Sequence, residues 1–141
     1  MKENSITGRF KKEERLSGKK IIAELMRSGI SLKEKKNELF PFRVLWLPVE
    51  LSQKFPVQVL FSVPKKKIKE AVLRNRIKRK MGEAFRQNKQ VLYQPLIESG
   101  KRISLAIIYL PTQELSNQKI RSEIILTLHR LAEEVALKKQ P

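Results

Sequence analysis

One segment, Lys65 to Arg86, sets what the rest of the chain has to supply. From Lys65 to Lys80, nine basic residues stand against one acid, Glu70, a charge of +8 in sixteen positions. From Ala71 onward, Leu73, Ile77, Met81, Ala84 and Phe85 recur at helical spacing and form one apolar face. Asn75, Arg79, Gly82 and Arg86 fall on the far side, with Arg76 beside them. The segment is therefore an amphipathic helix whose apolar face needs a core to lie on. Its polar face carries like charges that repel one another and cost stability unless a polyanion offsets them. Phosphates do so with a further gain, because neutralising them releases condensed counterions.

The rest of the composition narrows the chemistry. The chain has 141 residues and a net charge of +17, enough length for one domain with one modest core. All fourteen acids are glutamates; there is no aspartate, no cysteine and one histidine, His129. Two-metal nuclease sites need converging carboxylates, thiol catalysis needs cysteine, and zinc sites need several Cys or His ligands. No catalytic residue and no metal ligand is expected in the protein. No run of about eighteen apolar residues is present, so no membrane span is expected. The polar start Met1 to Glu14 does not read as a secretory signal, and the absence of cysteine suits a reducing compartment. The expected location is cytoplasmic.

Periodicity gives an order of helix, strand, strand, helix, strand, helix. Residues 1–14 are expected to be a flexible basic arm, 15–137 the single folded domain, and 138–141 a tail. Ser17 is placed to cap a first helix with Ile21, Ile22, Leu25 and Met26 at helical spacing, ending near Gly29. Lys33 to Glu38 reads as a charged loop. Phe40, Phe42, Val44 and Trp46 alternate as a strand up to Pro48, and Val57, Val59, Phe61 and Val63 as a second up to Pro64. After the basic helix, a loop through Pro95 and Gly100 leads to a central strand, Ile103 to Leu110. Ser116 or Asn117 caps the last helix, with Ile120, Ile124, Leu128, Leu131 and Val135 inward. The class is α/β (α+β), a two-layer sandwich with helices on a small sheet.

A generic helix with three or four lysines is most often a solvated face. Nine like charges in sixteen residues, rich in arginine, favour phosphate instead, because the guanidinium fork binds it bidentately. Basic helices that lie on membranes share the charge pattern, but this apolar face is needed for the core. The candidate RNA-binding set is Lys65, Lys66, Lys67, Lys69, Arg74, Asn75, Arg76, Lys78, Arg79, Lys80 and Arg86.

These residues resemble the bacterial ribonuclease P protein subunit. Ser62-Val63-Pro64-Lys65-Lys66 ends a strand, Ala71-Val72 follows a spacer, and Arg74-Asn75-Arg76-Ile77-Lys78-Arg79 runs into Glu83-Ala84-Phe85-Arg86. The close match spans about 25 residues, and Arg15-Leu16 is similar to the family's start. The resemblance implies a ribosomal-protein-like sandwich with a left-handed β-α-β crossover around the basic helix, against the usual right-handed rule. It also implies partnership with a catalytic RNA that binds Mg2+ and removes the 5′ leader of precursor tRNA. Arg74, Asn75, Arg76, Lys78 and Arg79 would then face that RNA, with Lys65 and Lys66 at the strand end. A cleft between the first helix and the sheet would hold the leader, which assigns Ile22, Met26, Phe42, Val44 and Trp46 to it. Trp46 has two readings, core packing and stacking on an unpaired base, and the residues alone leave both open.

Two positions depart from the family. Ile22 and Met26 stand where it often presents phenylalanines, and Gly82 stands where it usually has arginine, at a helix cost of about 1 kcal/mol against alanine. Other classes remain. A general RNA-binding or ribosome-associated protein would share charge and fold, and the Arg-Asn-Arg motif in its strand context argues against it. A nuclease acting alone lacks the acids. A DNA-reading helix-turn-helix would place a helix and short turn before the basic helix, where a strand stands instead, so no DNA partner is expected.

Overall fold

The computed structural model describes residues 11–32, 41–49 and 55–137. The expected charged loop, Phe40, residues 1–10 of the expected arm and the tail at 138–141 lie outside them. In chain order the elements are α1 (Lys19–Ser28), β1 (Ile30–Ser31), β2 (Phe42–Pro48), β3 (Val57–Ser62), α2 (Ala71–Asn88), α3 (Gln90–Ser99), β4 (Ile103–Tyr109) and α4 (Asn117–Leu137), after a 3-10 turn at Lys12–Glu14. The sheet order is β1-β2-β4-β3. β2 is antiparallel to β4, with Phe42 opposite Tyr109 and Trp46 opposite Leu105. β3 is parallel to β4, with Val59 opposite Leu105, and α2 and α3 make the crossover between them. The architecture is the expected mixed α/β one, with β4 central.

Successive side chains of a strand point to opposite faces, and here the two faces bury two clusters. Phe42, Val44 and Trp46 of β2, Val57 and Val59 of β3, and Ile103, Leu105, Ile107 and Tyr109 of β4 join the main core. Ile77, Met81 and Phe85 of α2, Leu92, Tyr93 and Leu96 of α3, and Ile120, Ile124, Leu128, Leu131 and Val135 of α4 close over that face. The opposite phase, Leu45 of β2 and Ala106 of β4, packs with Leu16 and with Leu25 of α1. So α2, α3 and α4 form the helical layer and α1 lies across the other face.

Three local expectations change. Lys12–Glu14, expected within a flexible arm, form a 3-10 turn instead; Glu14 is fully buried, and Arg15 bridges Val59 in parallel. That pairing, with the Leu16 amide donating to the Val59 carbonyl at 2.9 Å, covers the free edge of β3. At the start of α1 the capping position belongs to Gly18, at φ +103°, rather than Ser17. The stretch through Pro95, expected as loop, is helical: α3 runs over Gln90–Ser99 with Pro95 inside it. Burying Leu92, Tyr93 and Leu96 is worth about 1.5–3 kcal/mol each, which outweighs the proline penalty of about 3 kcal/mol. Gly100, at φ +70°, ends α3 in the left-handed conformation, and the Lys101 amide reaches back to the Leu96 carbonyl at 2.9 Å. At α4 the Ser116 hydroxyl accepts from the Lys119 amide at 3.1 Å, the expected cap.

Candidate nucleic-acid interface

β3 delivers the chain to Pro64, whose carbonyl accepts from the Lys67 and Ile68 amides at 3.0 and 3.1 Å. This turn leaves Lys65, Lys66, Lys67 and Lys69 exposed while Ile68 is buried as its anchor. Arg74 secures the turn from the first coil of α2, its Nη1 donating to the carbonyls of Ile68 at 3.0 Å and Lys69 at 2.7 Å. Ile77, Met81, Ala84 and Phe85 sink into the core, so Asn75, Arg76, Lys78 and Arg79 stay exposed. Eight of the eleven expected RNA-binding residues thus stand on the outer side of one turn and one helix. Lys80 and Arg86 are half-buried, and Arg74 is half-buried behind the turn.

Two acids organise this ridge, Glu83 of the motif and Glu114, which sequence reasoning did not single out. Glu114, in the segment between β4 and α4, accepts from Arg76 Nε at 2.9 Å, Arg76 Nη2 at 2.8 Å and Lys80 Nζ at 2.6 Å. The Arg76 and Lys80 hydrogen bonds hold the Glu114 carboxyl down at about 2, and Glu114 in turn raises the Arg76 guanidinium. Tyr109 fixes that acid in place: its buried hydroxyl donates to the Gln113 carbonyl at 2.7 Å and accepts from the Leu115 amide at 2.9 Å. Glu83 accepts from Arg86 Nε at 3.0 Å, and that bond lowers the Glu83 carboxyl and raises the Arg86 guanidinium. The ridge is a preset array of cations with acids fixing several of their positions.

Two grooves flank α2. One, of about 530 Å³, lies between α2 and β3, floored by Val59 and Phe61 and rimmed by Arg15, Lys78, Arg79, Glu83 and Arg86, with Gly82 in its wall. The other, of about 340 Å³, lies between α2 and the start of α4 and is edged by Arg76, Arg79, Lys80 and Arg121.

A buried polar cluster anchors the first described residues where α2 passes into α3. Glu14 Oε1 accepts from Lys89 Nζ at 2.7 Å and from the Tyr93 hydroxyl at 2.6 Å, and Oε2 accepts from the Lys11 amide at 2.9 Å. Burial first, and then Glu14, push the Tyr93 phenol well up. Lys89 joins α2 to α3, so this contact ties the residues before α1 to the C-terminal end of the basic helix.

The expected leader cleft is divided by the sheet. Phe42, Val44 and Trp46 lie in the main core under the helical layer; Trp46 is 1% exposed and its Nε1 donates to Glu134 of α4 at 2.9 Å. Ile22 and Met26 lie on the opposite face with α1, Ile22 half-buried and Met26 39% exposed. The correction follows from strand alternation: the phase turned toward α1 is Arg43, Leu45 and Leu47. The exposed Arg43 in an otherwise apolar strand was the signal for it.

Among the described residues, no three His, Cys, Asp or Glu side chains converge as a metal site, and no helix is long and apolar enough to cross a membrane.

The family profile described as Ribonuclease P matches residues 10–132. The chain is 35% identical over 130 residues to the ribonuclease P protein component of Chlorobium phaeobacteroides, covering 86% of this chain and 87% of that one. It is 39% identical over 92 residues to the ribonuclease P protein component of Chlorobaculum tepidum, covering 62% of this chain and 54% of that one. The fold matches that of Staphylococcus aureus RNase P protein with a TM-score of 0.61 at 20% identity, over 84% of this chain and 96% of that one. A mutant of the S. aureus protein gives 0.63 at 19% identity, over 86% and 90%.

Proposed function

The chain belongs to the ribonuclease P protein family, and from that premise we propose that it is the accessory subunit of an endoribonuclease whose chemistry is carried by RNA. In this reading the Lys65–Arg79 ridge docks on the catalytic RNA, and the complex removes the 5′ leader of precursor tRNA in the cytoplasm. The observation that supports it most is the exposed run Asn75, Arg76, Lys78 and Arg79 on a helix whose other face is locked in the core. A rigid row of cations matched to phosphate contributes affinity without ordering cost at the moment of binding.

The Mg2+ ions of the reaction belong to the RNA. Among the described residues no three carboxylates or imidazoles converge, and Glu14, Glu83, Glu114, Glu123 and Glu134 are each engaged by a cation, a phenol or an indole. The protein's part is to lower the electrostatic cost of bringing two RNAs together, which lowers the magnesium the RNA needs. The single-stranded leader lies on the α1 face, along Ile22, Met26 and Arg43, and Trp46 supports that face from behind without touching it.

Reconstitution tests this. The full chain with the ribonuclease P RNA of the same genome should cleave precursor tRNA at a lower magnesium concentration than the RNA alone. RNA-free protein should not cleave at any magnesium concentration. Cleavage by the protein alone, or no effect on the RNA, overturns the proposal.

A further inference from the structure

The groove between α2 and β3 has a shape that phosphate binding does not require. A point contact to phosphate needs an exposed cation on a ridge, and α2 already supplies several. This groove has an apolar floor along β3, where Val59 and Phe61 turn toward α2, under a rim of Arg15, Lys78, Arg79 and Arg86, and its one acid, Glu83, is paired with Arg86. Its volume of about 530 Å³ falls in the range of sites that enclose a small organic ligand.

Gly82 makes the opening. It sits on α2 beside the buried Met81, and a Cβ built on it would stand 3.8 Å from Cε2 of Phe61. Any longer side chain would extend over the ring and close the groove. Phe61 is half-buried and held edge-to-face by Phe85, with ring centroids 5.5 Å apart, so its orientation is fixed from below. Flat aromatic surface inside a cationic rim suits a ligand that is planar, weakly polar on its faces and attached to anions. An unpaired nucleotide has that chemistry.

We propose that this groove is a nucleobase site, in which one unpaired base of the bound RNA stacks against Phe61 beside Gly82 while its flanking phosphates lie on Arg15, Lys78 and Arg79. The proposal rests on the RNA-binding function above and adds to it a contact that reads the presence of a base rather than charge. Phosphate contacts along the ridge position α2 on its RNA without reading a base, and a base held in this groove adds that reading. The glycine that weakens the helix thereby has a role at the surface.

Two single-stranded probes of equal charge separate base from phosphate: octaadenylate and an abasic ribose-phosphate octamer. The full chain should bind octaadenylate about 5- to 150-fold more tightly, the range for one aromatic stack. Gly82→Leu fills the groove with a better helix former than glycine, and Phe61→Leu removes the ring while keeping apolar volume. Both variants should lose most of the preference yet bind the abasic octamer as the parent does. Equal binding of the two probes by the parent overturns the proposal, as does a preference that survives both substitutions. If the parent does not bind the ribonuclease P RNA of its own genome, the RNA-binding function fails with it. Binding of that RNA without base preference rejects the groove alone.

Discussion

Arg76 grips Glu114 with the edge of its guanidinium, Nε 2.9 Å from Oε2 and Nη2 2.8 Å from Oε1, while Lys80 adds a third bond at 2.6 Å. This acid ties α2 to the segment before α4 and also occupies two cations of the proposed RNA face. Structure and RNA therefore compete for the same charges.

Glu114→Gln should strengthen binding to the catalytic RNA. For each cation that gains a phosphate, the slope of log affinity against log salt should steepen by about 0.7 to 0.9. Unchanged affinity and slope would mean that Arg76 and Lys80 do not meet the RNA.

The same pair predicts a pH dependence. The Glu114 carboxyl is depressed from 4.5 to about 2. Its stabilising contribution is thus present above about 4.5 and fades as pH falls toward about 2. Melts of the parent and Glu114→Gln should differ at neutral pH and converge over that acid window. Salt should shrink the difference, because the pair is partly exposed.

Trp46→Ala should cost about 3–5 kcal/mol and impair precursor and mature tRNA alike, since the indole is buried and bonded to Glu134. Met26→Glu, on the α1 face, should leave the melting temperature close to the parent's and weaken leader-bearing substrate several-fold more than mature tRNA. Leader selectivity lost in the tryptophan variant but kept in the methionine variant would reverse the assignment of the two faces.

Glu14 is fully buried against Lys89, itself 1% exposed. Glu14→Leu leaves an ammonium buried without its acid and should cost about 3–5 kcal/mol. Adding Lys89→Met should recover much of that loss, as replacing a whole buried pair by apolar groups often does. Denaturant titrations of the two single variants and the double variant measure the coupling. A cost under about 1 kcal/mol for Glu14→Leu would mean that the residues before α1 are not anchored there.

Local periodicity carried the strand alternation, the apolar stripes of α2 and α4, and the basic ridge. What it lacked was the choice between faces. Phe42, Val44 and Trp46 share one phase, but nothing local says whether that phase meets α1 or α4; the packing of distant helices decides it. Pro95 and Gly100 imitate a loop because their local signals are strong, and only the burial of Leu92, Tyr93 and Leu96 overrides them. Glu14 and Glu114 read as ordinary surface acids because their partners, Lys89 and Arg76, lie 75 and 38 residues away. Charge within α2 was legible; charge shared across the fold was not.

Arg74 and Arg79 belong to one motif and should behave differently. Arg74 donates to the carbonyls of Ile68 and Lys69 and so shapes the lysine turn, whereas Arg79 stands exposed on the outer ridge at the rim of both grooves. Arg79→Ala should flatten the salt slope by about 0.7 to 0.9 with the melting temperature unchanged, the signature of one lost phosphate contact. Arg74→Ala leaves two carbonyls without their donor and frees the turn that carries Lys65, Lys66 and Lys67. It should lower stability by about 1–3 kcal/mol and flatten the salt slope by more than one contact, since several lysines lose their fixed positions together. Arg74→Lys keeps the charge but not the fork that spans two carbonyls, and should restore little of either loss. Full rescue by lysine would show that Arg74 acts as a charge on RNA and not as the brace of the turn.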